Sequence, residues 1–362
     1  QALSGAVLTE NGYVNLADYA RFATNVNIVP QGSGNKNGTT MNIRGISPLT
    51  GAPTVGFYID DTPASSPLRA GTIDPRLYDV ERVEILKGPQ GHLYGASAMG
   101  GVIRLITTKP KFNEWGGGYT ITGSMTRYAN DQNLSFDGVV NIPLATDKAA
   151  LRISASVADE AGYIDYVSPF AYGPPNTGDP GPPAPTPVPV PDVKVLADQG
   201  INSSKLTAVR ASLLWEPIDW LTVTPTVFYQ ERTANGIDTV YQDTFGYSRP
   251  QASPYQAQGV STKLVLSSLT AEADVGVGVL TSVTAYLDID GNSADDLTEI
   301  VTNISYGGLP TPEAAAVISP ILNSSILTQF TQELRFASTW ESPVSLVAGL
   351  FYEDNDNDAR QK

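Results

Sequence analysis

DVERVEILKGPQGHLYGASAMGGVIRLITTKP, residues Asp79–Pro110, is the most strongly patterned segment of the chain. Val80–Leu86 and Val102–Thr107 are rich in β-branched residues and are predicted strands. The glycines between them allow positive φ angles and close backbone approach, and they are Gly88, Gly91, Gly95, Gly100 and Gly101. The segment therefore predicts two strands joined by tight turns in a small, closely packed domain. A phosphate-binding loop is disfavoured, because no Gly-Lys-Ser/Thr follows the glycines.

The composition of the 362 residues excludes several classes of protein. With 22 basic and 37 acidic residues, the net charge of −15 is wrong for a protein that binds nucleic acid through its phosphates. Cysteine is absent, so disulfides and thiolate zinc sites are excluded. Because His92 is the single histidine, histidine-rich metal sites and Ser-His hydrolases are disfavoured. His92 is interpreted as a turn residue. No enzymatic activity, cofactor or bound metal is predicted.

The segment before residue 115 has a mixed pattern. A short helix is predicted at Leu16–Thr24, where Asn15 is a suitable cap. Further strands are predicted at Thr40–Ile43 and Val55–Ile59. The first domain is therefore expected to be α+β and to cover residues 1–113.

From residue 114 onward, apolar and polar residues alternate with period two. The pattern predicts nine strands, near residues 117–128, 132–143, 149–160, 205–216, 219–232, 263–275, 278–290, 327–339 and 343–354. Most are about 11–14 residues long, enough for a tilted strand to cross a membrane, which takes about 9–11. Short turns alternate with long connections at 165–204, 234–262 and 291–326. Residues 114–362 are therefore expected to form an antiparallel outer-membrane β-barrel wall.

The predicted strand number is odd, whereas bacterial single-chain barrels have even numbers. We therefore expect further strands beyond Lys362, to a total of about 22 as in plugged transporters. The run Asp354–Asp358 is interpreted as an acidic loop tip. Calcium binding there is the less favoured alternative, because Ala359 replaces the glycine that a calcium loop requires.

Residues 79–110 closely resemble the plug domain of TonB-dependent outer-membrane receptors. NIRGIS at Asn42–Ser47, VGFYIDDTPAS at Val55–Ser65 and TQELRFAS at Thr331–Ser338 are also similar to that family. The resemblance implies an all-β membrane barrel whose lumen holds the N-terminal plug. It also implies a coupling box for the inner-membrane TonB complex, which would precede Gln1 and is absent here.

Cations of the plug pair with acids of the barrel wall in this family. The resemblance therefore implies that the plug is locked to the wall by a set of charged residues: Arg44, Arg82, Glu84, Lys87, Glu333 and Arg335. By alternation, Glu333 and Arg335 point into the lumen. A plain solvated strand face is the competing interpretation for Arg82, Glu84 and Lys87.

Candidate ligand-binding residues lie in the apical turns of the plug and in one long loop of the wall. They are Asn35, Lys36, Ser65, Ser66, Arg69, Tyr241, Phe245, Tyr247 and Tyr255. Aromatic faces suit planar chelates and sugar rings, although the loop aromatics could equally form an interfacial girdle.

The resulting expectation is TonB-dependent active uptake across the outer membrane of a Gram-negative bacterium. A ferric siderophore is the leading substrate, and glycans, oligosaccharides or cobalamin stay open. The expected partners are outer-membrane lipids, the TonB complex and the solute, without nucleic acid. The alternative from another class is a surface or adhesion protein anchored by a barrel.

Overall fold

The computed structural model describes residues 2–31, 35–46, 52–64, 74–95, 97–166, 199–236, 251–252, 258–296, 320–341 and 343–361. Its two large sheets have five and nine strands. Within the described residues, no helix has the length and apolar character that crossing a membrane requires.

The five-stranded sheet forms the centre of the N-terminal domain, the described residues from 2 to 107. The domain contains β1 Ala2–Ser4, α1 Gly5–Glu10, α2 Leu16–Ala20, β2 Val26–Gln31, β3 Asn35–Ile43, β4 Val55–Ile59, β5 Thr62–Pro63, β6 Val80–Lys87, α3 Gly91–Tyr94 and β7 Gly101–Thr107. The sheet order is β1-β6-β7-β4-β5, with β4 parallel to β7, and β2 pairs with β3 in a separate hairpin. Tyr19, Phe57 and Ile103 are fully buried in the domain core.

The predicted helix begins as expected but is shorter. The Asn15 side chain accepts a hydrogen bond from the Asp18 backbone N–H at 2.8 Å, which caps α2. The helix ends at Ala20 rather than Thr24. After the helix, the Phe22 and Ala23 N–H groups donate to the carbonyl oxygens three residues earlier, those of Tyr19 and Ala20. The chain therefore leaves α2 through tight turns.

Gly101 is a position where the backbone requires glycine. Its φ is +151°, and an added Cβ would lie 2.3 Å from the Leu86 carbonyl oxygen and 2.7 Å from Ile43 Cδ1. We expect Gly101→Ala to destabilise the N-terminal domain by roughly 1–3 kcal/mol, since backbone must move to admit the methyl group. The measurement is the urea midpoint at which the domain loses trypsin resistance. The control is Gly91→Ala, where nothing lies within 4 Å, and an equal loss in both variants would contradict the prediction.

The nine-stranded sheet, which we call the wall, confirms the predicted strand number. Its strands are β8 Gly116–Ser124, β9 Asn133–Ala145, β10 Ala149–Glu160, β12 Ser204–Ile218, β13 Leu221–Ala234, β15 Gly259–Asp274, β16 Gly278–Asp296, β17 Pro320–Ser338 and β18 Val347–Gln361. Each strand pairs antiparallel with its neighbour in this order. The short strands β11 Asp165–Tyr166 and β14 Gln251–Ala252 pair with each other outside it.

Three strand ends correct the sequence-based boundaries. β16 continues to Asp296 and β17 begins at Pro320, so the predicted connection 291–326 is shorter than expected. Asp354–Asp358 is not a loop tip, because β18 stays paired with β17 as far as Gln361 opposite Asn323. The ladder satisfies the backbone groups there, and alternation places Asp354, Asp356 and Asp358 on one face and the two asparagines on the other.

The outer face of the wall has the arrangement that a lipid bilayer favours. Exposed apolar side chains form a band, and they include Ile121, Leu134, Val157, Val209, Val227 and Leu269. The tryptophans Trp115, Trp215, Trp220 and Trp340 all lie at the short-connection end of the strands. Exposed Tyr286, Phe330 and Tyr352 lie further along the strands. Val227 pairs through Ser267 with Tyr286 and Phe330, so these aromatic side chains lie within the apolar band, while the tryptophans mark its short-connection end. An exposed apolar band with aromatic residues at its boundary is typical of outer-membrane barrels.

Candidate functional site

The interface between the N-terminal domain and the inner face of the wall is the candidate functional site. Its first part is the strap, residues 74–79, with the sequence Asp-Pro-Arg-Leu-Tyr-Asp. The strap's hydrogen bonds reach Gly118, Asp137, Arg152, Arg210 and Gln230, on β8, β9, β10, β12 and β13. These five strands are neighbours in the sheet, so one short segment crosses half of the wall.

Asp79 joins the strap to two arginines of the wall. Its side chain is 3% exposed and accepts hydrogen bonds from two wall arginines, Arg152 at 2.8 Å and Arg210. Arg210 also donates to Thr107 Oγ1 at 2.8 Å and to the Thr108 carbonyl oxygen at 3.1 Å. Charge-assisted hydrogen bonds of this kind are stronger than those between neutral groups, and the two guanidinium groups share this one carboxylate as a counter-charge.

Arg76 makes the reciprocal contact, from a strap cation to a wall acid. Its Nε and Nη2 donate to the two carboxylate oxygens of Asp137 at 3.0 and 2.7 Å, with both side chains buried. Gln230 accepts a bond from the Arg76 backbone N–H at 3.0 Å and donates to the Asp74 carbonyl oxygen at 3.0 Å. A side-chain amide that satisfies both a donor and an acceptor of the strap backbone fixes its position along β13.

Two carboxyl groups near these contacts, those of Asp60 and Asp74, have raised pKa values. Burial raises the pKa of Asp60, against the opposing effect of the hydrogen bonds from Thr107 N–H and Oγ1 at 2.8 and 2.9 Å. Burial likewise raises the pKa of Asp74, and the opposing charge is Arg232 on β13.

The middle of the interface is apolar. Phe228, Leu264, Leu266, Ala285 and Leu287, from β13, β15 and β16, belong to the same buried cluster as the core of the N-terminal domain. The inner face of these strands therefore packs directly on the domain, and its burial stabilises the pair without directional bonds.

A chain of charged residues forms the third part of the interface, at β17. Arg82 donates to Glu84 at 2.7 Å, Arg104 lies 3.1 Å from Glu84 and 3.3 Å from Asp61, and Arg335 of the wall lies 3.8 Å from Asp61. Arg335 also contacts Glu333 at 3.3 Å. Burial pushes the pKa of Glu84 upward, but Arg82 and Arg104 outweigh it and the pKa is lowered.

This series of charged residues includes Arg82, Glu84, Glu333 and Arg335 of the predicted locking set, whose expected contacts joined cations of the plug to acids of the wall. The contact across the interface joins a wall cation, Arg335, to a domain acid, Asp61, and Arg82 instead pairs with Glu81 and Glu84. Arg104 and Asp61 complete the series of ion pairs from Arg82 to Arg335. Glu333 lies on the same inward face of β17 as buried Thr331.

The other two locking candidates lie elsewhere in the N-terminal domain. The Lys87 ammonium donates to the Thr24 carbonyl oxygen at 2.6 Å and to its hydroxyl at 3.0 Å. Arg44 is exposed at a φ of 56°, and its backbone N–H bonds Asn25 at 2.8 Å. Both contacts are internal to the domain, and the locking role of the set stays a prediction.

The ligand-binding candidates lie almost entirely outside the described residues. Ser65, Ser66, Arg69, Tyr241, Phe245, Tyr247 and Tyr255 are all in undescribed segments. Asn35 and Lys36 begin β3, but their side chains are not described. In the part of the chain that the structure describes, no group of three or more His, Asp or Glu side chains is arranged to hold a metal ion.

The strap and its wall partners were not among the sequence-based candidates. The available signal was modest: Arg152 and Arg210 occupy the polar positions of membrane-length strands, and charged residues there face the lumen rather than lipid. Asp79 is the first residue of the segment quoted above, directly before β6.

Comparison with known proteins supports this architecture. Residues 1–102 match the TonB-dependent Receptor Plug Domain family. The pesticin receptor of Yersinia pestis is 37% identical over 110 residues, which are 30% of this chain and 16% of that protein. The metal-pseudopaline receptor of Pseudomonas aeruginosa is 38% identical over 88 residues, 24% of this chain and 12% of that protein.

Solved structures match the whole chain. The ferric yersiniabactin uptake receptor of Yersinia pestis superposes with a TM-score of 0.71 at 18% identity, covering 100% of this chain and 49% of that one. The ferripyoverdine receptor of the Pseudomonas aeruginosa outer membrane superposes with a TM-score of 0.70 at 15% identity, and the match covers 100% of this chain and 43% of that receptor. At these identities the likeness shows a shared fold, and the chain spans about half the length of these receptors or less.

Proposed function

The chain belongs to the TonB-dependent receptors of the bacterial outer membrane, and from this premise we propose that it takes up a ferric siderophore. The receptors it resembles are named for pesticin, metal-pseudopaline, ferric yersiniabactin and ferripyoverdine. Uptake of this kind involves binding and movement, without covalent chemistry. The N-terminal domain is the plug, the proposed boundary falls between residues 113 and 114, and the wall continues from there.

One observation carries the proposal: the N-terminal domain is held to the inner face of the wall by the strap, the apolar cluster and the β17 contact together. A domain docked in this way obstructs free diffusion, so transport requires its displacement. That requirement fits energy input from the inner-membrane TonB complex and argues against a passive pore.

The proposed domain boundary is supported by one buried side chain. Asn141 on β9 accepts a bond from the Lys111 N–H at 2.9 Å and donates to the carbonyl oxygens of Lys111 and Glu114 at 2.9 and 2.6 Å. The segment between the two domains is thereby fixed to the wall just before β8 begins.

The substrate is proposed to contact the apical turns of the plug and the long loops of the wall. The residues are those named above: Asn35, Lys36, Ser65, Ser66, Arg69, Tyr241, Phe245, Tyr247 and Tyr255. Glycans and cobalamin are the alternative substrates, and a barrel-anchored adhesion protein is the alternative of another class.

The direct test uses cells that carry or lack the gene. We expect iron depletion to raise the amount of the protein in outer membranes, and cells with the gene to accumulate radioactive iron supplied as a siderophore complex. A protonophore should abolish accumulation and leave surface binding intact, since only movement needs energy. Accumulation that is equal in both strains for every siderophore supplied would contradict the proposal and direct the assay to glycans and cobalamin.

The locking set gives a separate expectation. Glu333→Gln removes the charge that competes with Asp61 for Arg335 at 3.3 Å, and we expect a changed resistance of the plug to release and a changed rate of uptake. Protease sensitivity of the plug and iron accumulation measure the two effects. Thr339→Val, beyond the end of β17, is the control. If Glu333→Gln changes neither quantity, the locking role is wrong.

A further inference from the structure

We propose that Arg152 and Arg210 form an anion-binding site on the inner face of the wall, which Asp79 occupies while the plug is docked. When the strap leaves, the same site binds a carboxylate group of the ferric chelate that passes through the barrel. The inference deepens the proposed function, because the passage of a chelate rests on it. The anion site itself is tested on the purified protein without any substrate.

The two arginines converge on a single carboxylate. Arg152 lies on β10 and Arg210 on the neighbouring strand β12, and their side chains are 15% and 5% exposed. Arg152 Nε donates to the two oxygens of Asp79 at 3.0 and 2.8 Å, its Nη2 donates to one of them, and Arg210 Nη2 donates to the other. A planar guanidinium matches a pair of anionic oxygens, so two of them that face one point form a carboxylate site.

The wall supplies no counter-charge of its own to these two arginines. Among the described residues, Arg152 and Arg210 form ion pairs with Asp79 alone, and both lie on strands inside the sheet, between β9 and β13. Other cations of the wall have carboxylate partners on the wall itself. These pairs are Lys148 with Asp219, Lys205 with Asp159, Arg335 with Glu333 and Arg360 with Asp358. The site is therefore positively charged whenever Asp79 leaves it.

The remaining hydrogen bonds of Arg210 also depend on the docked plug. Its Nη1 donates to Thr107 Oγ1 at 2.8 Å, and its Nη2 donates to the Thr108 carbonyl oxygen at 3.1 Å. Displacement of the plug thus frees donors that were bonded, and a new acceptor that reaches them recovers the lost bonds. A cavity of about 20 Å³ borders Arg210 and is lined in part by Ser154 and Ser156. A space of this size holds about one water molecule, so a group slightly larger than the Asp79 carboxylate fits.

The position of the site suits a chelate that is leaving the barrel. Arg152 lies three residues after Ala149, where β10 begins behind a short connection. Short connections lie on the periplasmic side of bacterial barrels, so a chelate that enters between the long loops reaches the arginines late in its passage. The chain has a net charge of −15, and an anionic chelate is therefore attracted only where positive charge is concentrated.

Replacing the Asp79 side chain by a soluble carboxylate tests the anion site directly. Asp79→Gly removes the carboxylate and leaves its space open, and glycine suits the φ of 58° at this position. We expect a lower urea midpoint for release of the plug from the purified, detergent-solubilised protein, and we expect acetate to restore at least half of the loss. Acetamide, which has nearly the same shape but no charge, should restore none of it at the same concentration and ionic strength.

The matched variant is Asp79→Asn, which removes the same charge but fills the space. Acetate should leave its urea midpoint unchanged. Equal effects of acetate and acetamide on Asp79→Gly, or equal effects of acetate on the two variants, would overturn the anion site. An unchanged midpoint of Asp79→Gly without acetate would also overturn it, because docking would then not depend on filling the site.

The use of the site by the chelate is tested in whole cells. The two probes are a ferric siderophore that the cells accumulate and the same molecule with its carboxylate converted to an amide, and each rate is divided by the surface binding of that molecule. We expect Arg152→Gln to reduce the rate for the acid relative to the amide at least fivefold. Weaker docking affects both molecules alike, so the ratio of the two rates reports on the site alone.

The matched variant for transport is Arg76→Gln, which breaks the strap contact with Asp137 and leaves both wall arginines in place. Its ratio should equal that of the parent. An unchanged ratio in Arg152→Gln, or an accumulated siderophore that has no carboxylate, would overturn the use of the site by the chelate. If the cells accumulate no ferric siderophore at all, the proposed function is refuted, whereas restoration of Asp79→Gly by acetate still establishes the anion site.

Discussion

Replacing Asp79 with asparagine is expected to weaken the docking of the N-terminal domain by about 3–5 kcal/mol, the usual cost of removing one partner from a buried ion pair. The variant leaves Arg152 and Arg210 facing one neutral amide, so two guanidinium groups lose their shared counter-charge. Backbone strain does not contribute, because Asp79 has a φ of 58° and asparagine tolerates that region well. The measured effect is therefore that of the charge.

The measurement is the urea concentration at which the N-terminal domain of the detergent-solubilised protein becomes sensitive to protease. The matched control is Asp219→Asn, which removes a carboxylate 2.7 Å from Lys148 at a site 97% exposed. No change in the urea midpoint is expected there, since water replaces an exposed partner. A midpoint for Asp79→Asn that equals that of the control would show that the strap does not hold the domain.

Leu264→Ala is expected to weaken the same docking by about 2–5 kcal/mol, the range for truncating a buried leucine. Leu264 is 1% exposed on β15 and belongs to the cluster that joins the wall to the domain core. The truncation opens a cavity at this contact, which neither sheet can fill without moving.

The matched control for the cavity is Leu269→Ala, the same substitution five positions along β15. Leu269 is 45% exposed, and the odd separation places it on the opposite, outer face of the strand. Its loss should leave the urea midpoint of domain release unchanged. If the two variants behave alike, the assignment of inner and outer faces of β15 is wrong.

Much of the wall was predictable because alternation is a local property. The nine strands, their membrane-crossing length and the inward direction of Glu333 and Arg335 follow from side chains that alternate across a strand. The strand ends were less predictable: β18 runs through Asp354–Asp358 because β17 offers a backbone ladder there, which outweighs the poor β-propensity of aspartate and asparagine.

The candidate site was predictable only in part. In the structure, Arg82, Glu84, Glu333 and Arg335 belong to one series of ion pairs that Arg104 and Asp61 complete, and the locking role of the set stays a prediction. Asp79 and Arg76 were missed, since their partners lie on strands far away in the sequence.

The residues alone established a small glycine-rich domain followed by membrane-length antiparallel strands, because both patterns depend on neighbours within a few positions. Only the tertiary structure decided which charge meets which across the interface. Alternation specifies the face on which a side chain lies but not the rotation of the domain against the wall, and a carboxylate is equally compatible with any arginine on that face. The rotation is set by the combined burial of the apolar cluster and the strap, so the partners of Asp79 could be identified only once both sheets were in place.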